Sequence, residues 1–251
     1  MPDALDPAAE HALLVEQLRA AGRPYAYDSN TSSGHPFFSV AAPDLRRIAR
    51  AWLAAQRKAG PAAALSVIDR LFCGEHYDEK VLAAVMLGYG RAARALATPA
   101  DVERWLHGLV GWAEIDSLCA SVFPASEMAA AWPAWAGLID RLSCDASNIN
   151  RRRAALVLLC TPARTSDDPR FAALAYEVIA RLAPERAILI TKAVSWLLRS
   201  LATRRPADVA AWLDAHAAAL PAIAVRETRK KIESGTKTGR PAKMRKATRT
   251  S

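Results

Sequence analysis

Residues 98–122 read TPADVERWLHGLVGWAEIDSLCASV, and the way this stretch divides decides the fold. Thr98-Pro99-Ala100-Asp101 is a helix start: a hydroxyl at the N-cap, proline at the first helical position and an acid at the third. A second helix is expected over 112–122. The same succession of helix, short turn and helix extends in both directions. Upstream, apolar periodicity predicts helices over 7–21, 43–59, 61–72 and 78–96, with the longest loop at 25–42. Downstream it predicts helices near 126–142, 147–160, 168–182, 184–201, 206–219 and 221–233. Pro169, Pro184 and Pro206 fall near helix starts, where a missing N–H is harmless. No segment alternates in the manner of a strand.

The expected fold is therefore all-α, with about a dozen helices. Consecutive pairs recur every ~35–45 residues, the period of HEAT-type repeats. In such a solenoid the second helices of successive pairs line a concave face, here a candidate DNA-binding face. A compact helical bundle is the alternative. Composition agrees with either: 52% of the 251 residues are hydrophobic, so the chain folds, and only 11 are glycine, too few for a turn-rich sheet protein.

Several classes of function are disfavoured. No run of about eighteen apolar residues could span a membrane. The first residues carry acids and no basic segment ahead of an apolar run, so no signal peptide is expected and the protein is placed in the cytoplasm, associated with the nucleoid. Cys73, Cys119, Cys144 and Cys160 are widely spaced, as are the five histidines, so buried thiols are expected and neither a metal nor another cofactor. The formal charge of +9 is concentrated. Residues 229–251 hold nine Lys or Arg and one acid, leaving 25 bases and 24 acids for residues 1–228. The expected organisation is one repeat domain over 1–234 and a disordered basic tail over 235–251. Such a tail attracts nucleic acid without sequence preference, or simply solubilises the chain.

Three places break the amphipathic pattern. Trp112 and Asp116 lie four apart, on one helical face, and an acid beside an indole is unusual because an unpaired buried carboxylate is costly. An ordinary Asp near a helix N-terminus beside a core-edge Trp is the plainer reading. Arg151, Arg152 and Arg153 open a very apolar helix against the preference of its dipole. Something negative is needed nearby, either a phosphate or a carboxylate such as Asp116, unless the turn is simply solvated. Lys192, Trp196 and Arg199 share a face opposite Val194, Leu197 and Leu198. A Trp between two cations can stack on a base or sugar while the cations hold phosphates, or it can pack beneath snorkelling side chains.

With these residues in view, the chain resembles the AlkD-like DNA alkylation repair glycosylases, a HEAT-like-repeat family, over roughly 38–231. The resemblance rests on Pro43, Leu45, Arg46, Ile48 and Ala49, and on Glu79 with the alanine-rich helix after it. It continues through Trp112-x-x-x-Asp116, Arg152-Arg153-Ala154-Ala155, Lys192-Ala193-x-x-Trp196-x-Leu198-Arg199 and Arg226-Glu227-x-x-Lys230. Each motif is weak alone, and their order makes the signal. The resemblance implies that Asp116 is the catalytic carboxylate and that Trp112 and Trp196 flank the deoxyribose of the lesion. It implies that Arg153 or Arg152 contacts the DNA backbone, with Lys192 and Arg199 as further DNA contacts. Phe72 is the nearest match to a further family aromatic, and Asn150 stands where relatives carry Trp.

The activity so implied is excision of N3- or N7-alkylated purines from double-stranded DNA by a cofactor-free monomer. The cationic base leaves as a neutral molecule, so one carboxylate beside the sugar and a held water suffice. The family is understood to work from the backbone side, without swinging the base into a deep pocket. The competing reading is a non-catalytic HEAT-like module that binds DNA or serves as a protein scaffold. Convergence of Trp112, Asp116, Arg153 and Trp196 on one surface, with Asp116 open to solvent, is the geometric expectation.

Overall fold

The computed structural model describes residues 5–23, 33–120 and 122–238. Among them every regular element is a helix; one isolated bridge joins Gly22 to Val40. The all-helical expectation holds. The expected 1–234 array divides into two compact units, residues 1–161 and 162–251. The expected tail falls largely outside the described residues, as does residues 24–32 of the long loop.

The first unit holds α1 (Pro7–Ala21), α2 (Ala42–Ala55), α3 (Pro61–Phe72), α4 (Tyr77–Tyr89), α5 (Arg91–Arg94), α6 (Pro99–Leu106), α7 (Trp112–Cys119), α8 (Ala125–Ala130), α9 (Trp132–Cys144) and most of α10 (Ile149–Thr165). Buried Leu45, Ile48, Ala49 and Trp52 recur at the spacing of one helical face, as do Ala64, Val67, Ile68 and Leu71. These stripes pack α1 on α3, α2 and α3 on α4, and α4 on α7. Residues 154–160 of α10 are all buried, as befits a helix apolar on every side. The second unit holds α11 (Pro169–Leu182), α12 (Ile188–Leu201), α13 (Pro206–His216) and α14 (Ala222–Ser234). There α12 packs against α11, α13 and α14.

The predicted start at Thr98 is present as a capping box: Asp101 N–H donates to the Thr98 hydroxyl at 3.3 Å, and Thr98 N–H donates to the Asp101 carboxylate at 2.9 Å. Two predicted helices are interrupted. The 78–96 helix stops at Tyr89 because Gly90 is a poor helix former, and α5 follows. The 126–142 helix breaks at Ala131, two residues before Pro133, which has no N–H for the carbonyl four residues back and whose ring clashes with it. Conversely, α10 runs past Cys160 and through Pro162, forgoing one backbone hydrogen bond.

The start of α4 carries an unusual load. Asp78, Glu79 and Lys80 are consecutive and all buried. Asp78 accepts the N–H groups of Phe38 at 2.7 Å and Val40 at 2.9 Å, which docks the chain leading into α2. Glu79 takes His11 of α1 at 2.7 Å and His76 at 3.0 Å. Burial pushes the Glu79 carboxyl up, but the His76 N–H and the two imidazoles outweigh it and hold it below its ordinary value. A Cβ at position 74 would sit 2.1 Å from a Glu79 oxygen, so a larger residue there would push that carboxylate off its partners. Lys80 donates to the carbonyls of Phe72 at 3.1 Å and Gly74 at 2.7 Å, closing the end of α3.

Asp78→Ala is expected to lower unfolding stability by about 2–4 kcal/mol, because two backbone N–H groups lose their acceptor. Urea unfolding measures this; a loss below about 0.5 kcal/mol, the size of an ordinary surface change, would contradict it.

Candidate active site around Asp116

Gly111 precedes α7 at φ 83, left-handed backbone that suits glycine, and turns the chain so that Trp112 begins the helix. Asp116 follows one turn after Trp112; both are half-buried. Arg153, from the first turns of α10, meets Asp116 in a two-pronged pair. Its Nε donates to one carboxylate oxygen at 3.0 Å and a terminal nitrogen to the other at 2.8 Å. The Asp116 side chain keeps 16% of its surface exposed and that of Arg153 only 6%, so Asp116 is recessed but still reached by solvent.

Asn150, one turn before Arg153, accepts the Gly111 N–H through its side-chain oxygen at 3.2 Å. One face of α10 thus holds α7 at its start and at Asp116. Burial raises the Asp116 carboxyl above its ordinary value of 3.8, and the hydrogen bonds and charge of Arg153 offset only part of that rise. Cys119, one turn further on, is fully buried. Burial and the Asp116 charge push its thiol well above its ordinary value, so it stays protonated and is no nucleophile.

Two of the three arginines, Arg151 and Arg153, meet carboxylates. Arg151 pairs with Glu103 and Asp145, both at 2.8 Å. Arg152 donates to the Asp145 carbonyl at 2.6 Å. Arg153 takes the carboxylate alternative offered from sequence, pairing with Asp116, and that pair lets both charges be covered. Phe72, expected as a DNA contact, is corrected outright. It is 1% exposed and stacks on Trp105 with ring centroids 4.5 Å apart, a core residue whose apolar ring is fully used in packing.

The face of α12 is as spaced from sequence: Lys192 exposed, Trp196 and Arg199 half-buried. Arg199, however, already has partners in Ser195 at 3.3 Å and Glu227 of α14 at 3.5 Å. Trp112, Asp116 and Arg153 belong to the first unit and Trp196 to the second.

Sequence reasoning missed Glu114. It is buried, accepts the Val110 N–H at 2.7 Å and the His35 ring nitrogen at 2.9 Å, and receives the Ser33 hydroxyl. A legible signal existed: an acid at the third position of a helix habitually reaches back to the turn before it. No group of His, Cys, Asp or Glu among the described residues could hold a metal ion, and no described helix is long and apolar enough to cross a membrane.

The described residues are thus all-helical, with a recessed, ion-paired aspartate one turn from a tryptophan. The family model for the DNA alkylation repair enzyme matches residues 14–232, and the chain belongs to that family. This gives it a role in the repair of alkylated DNA. A search of the curated proteins found no match to the chain.

The Asp116 carboxyl, followed by carbon-detected NMR, is expected to titrate above 3.8. In Arg153→Met the midpoint should move higher still, because the only groups opposing burial are gone. A midpoint that falls in the variant would contradict the assignment. The variant should also lose about 3–5 kcal/mol of stability, as one half of a covered ion pair is left alone.

Proposed function

We propose that the protein is a monofunctional DNA glycosylase that excises N3- or N7-alkylated purines from duplex DNA, with Asp116 as its catalytic carboxylate. The observation that carries this reading is Asp116 itself, partly open to solvent, recessed next to Trp112, and held by two N–H groups of a more deeply buried arginine.

Alkylation at a ring nitrogen leaves the purine cationic. When the bond from C1′ to the base breaks, the electron pair goes to the base, which departs neutral without help from an acid. Positive charge then grows on the sugar. A carboxylate in a partly desolvated place acts strongly on that charge, and it is already oriented, so nothing need reorganise during the step. A carboxylate has about four acceptor sites, of which Arg153 takes two. Another can hold the water that attaches to C1′ and takes up the proton that this water loses. The indole of Trp112 adds attraction for the cationic lesion. Unmodified purines are spared because they are poor leaving groups. Arg153 is a positioning residue here. Lys192 and Trp196 are assigned to DNA contact within the second unit, and the basic residues of 229–251 to sequence-independent attraction.

The engagement of Arg153 and Arg199 with carboxylates also fits a module that binds DNA without cutting the glycosidic bond. One experiment separates the two. Methylated duplex is incubated with enzyme and the released bases are resolved by chromatography. Wild type should release methylated purines, and Asp116→Asn should do so about 10²-fold more slowly or worse while still binding duplex. Equal release by both removes Asp116 from the chemistry; DNA binding with no release by wild type favours the non-catalytic module.

A further inference from the structure

On the first unit, away from Asp116, the end of α2, the start of α3 and the junction of α4 with α5 enclose an open cavity of about 560 Å³. Its polar wall is made by Arg50, Arg57, Arg91 and Tyr89; its apolar wall includes Leu53 and Ala64. No acidic residue lines it. Arg50 is held in place: a terminal nitrogen donates to the Tyr89 hydroxyl at 2.8 Å, and the guanidinium lies over the Tyr89 ring, 4.6 Å from its centre. Arg57 and Arg91 have no carboxylate partner among the described residues. All three arginines are exposed, so their charges are open to an incoming anion.

We propose that this cavity is a binding site for a phosphate group carried on a sugar. Three guanidinium groups around one space make a concentrated positive charge with many N–H donors. A planar carboxylate offers two oxygens and satisfies one such fork. A tetrahedral phosphate offers oxygens in several directions and can meet more than one. The cavity lies in the usual size range of small-molecule sites, and the space along Leu53 and Ala64 suits the apolar face of a sugar. The phosphate can belong to a DNA strand or to a free nucleotide; the chemistry is the same, and neither depends on base excision.

The test is isothermal titration of the full chain with three unmodified probes: inorganic phosphate, deoxyadenosine monophosphate and a short duplex. The double variant Arg57→Ala/Arg91→Ala is compared with wild type and with Arg181→Ala/Arg186→Ala. The latter removes the same charge from exposed positions of the second unit that have no part in the proposed DNA contacts, and thermal unfolding checks that all three are folded. A loss of about tenfold or more confined to the first variant supports the site. If it is seen with the nucleotide, the ligand is a free nucleotide; if with the duplex alone, it is a strand phosphate. Equal losses in both variants, or no loss with any probe, overturn the proposal.

Discussion

Two hydrogen bonds between Arg153 and Asp116 settle a problem that each residue has separately. An arginine in the first turns of a helix faces the positive end of the helix dipole. An aspartate deep beside an indole loses most of its hydration. Paired, each supplies what the other lacks, and the pair ties α10 to α7. The Asn150 bond to Gly111 makes the tie two-pointed, so α7 is held in direction as well as in place. A helix of eight residues would be marginal alone, so its order comes from α10 and from the Glu114 contacts.

The same economy of buried charge organises the start of α4. Asp78, Glu79 and Lys80 each reach a different segment: the chain entering α2, helix α1, and the end of α3. Apolar stripes alone would let these helices slide, since contact between smooth alanine-rich faces is permissive. A covered charge with one set of partners admits a single arrangement. Neighbouring Glu114 repeats the device through His35 and Ser33, linking the described end of the long loop to α7.

Helix existence was readable because it rests on local rules: apolar period, proline at starts, and the Thr98–Asp101 box. The division at Ala131 was readable in principle from Pro133, yet the surrounding alanines favour helix so strongly that the break is masked. At the site, Trp112 and Asp116 stood out because an acid beside an indole violates the amphipathic pattern. The need of the Arg151–Arg153 turn for negative partners was also legible, though which carboxylate serves which arginine was not. That choice depends on α6, α7 and α9 packing against residues distant in sequence. Phe72 illustrates the opposite failure. A motif match placed it at DNA, whereas its spacing with Val67, Ile68 and Leu71 marked it as core.

A carboxylate already neutralised by arginine might be thought a poor partner for a sugar cation, since the pair carries no net charge. What matters is the field where the cation forms. The arginine is the more covered of the two, and Asp116 keeps part of its side chain open, so a sugar bound against that open part lies nearer the negative member of the pair. At the short range of a bound sugar, the nearer charge dominates, and a partly dry setting weakens its screening. The raised Asp116 titration fits this balance: burial costs the carboxylate more than Arg153 returns, and the remainder is an interaction left unsatisfied in the resting protein. Under the proposed glycosylase reading, a cation that forms only in the transition state would satisfy it, which is the difference between binding a substrate and accelerating its reaction.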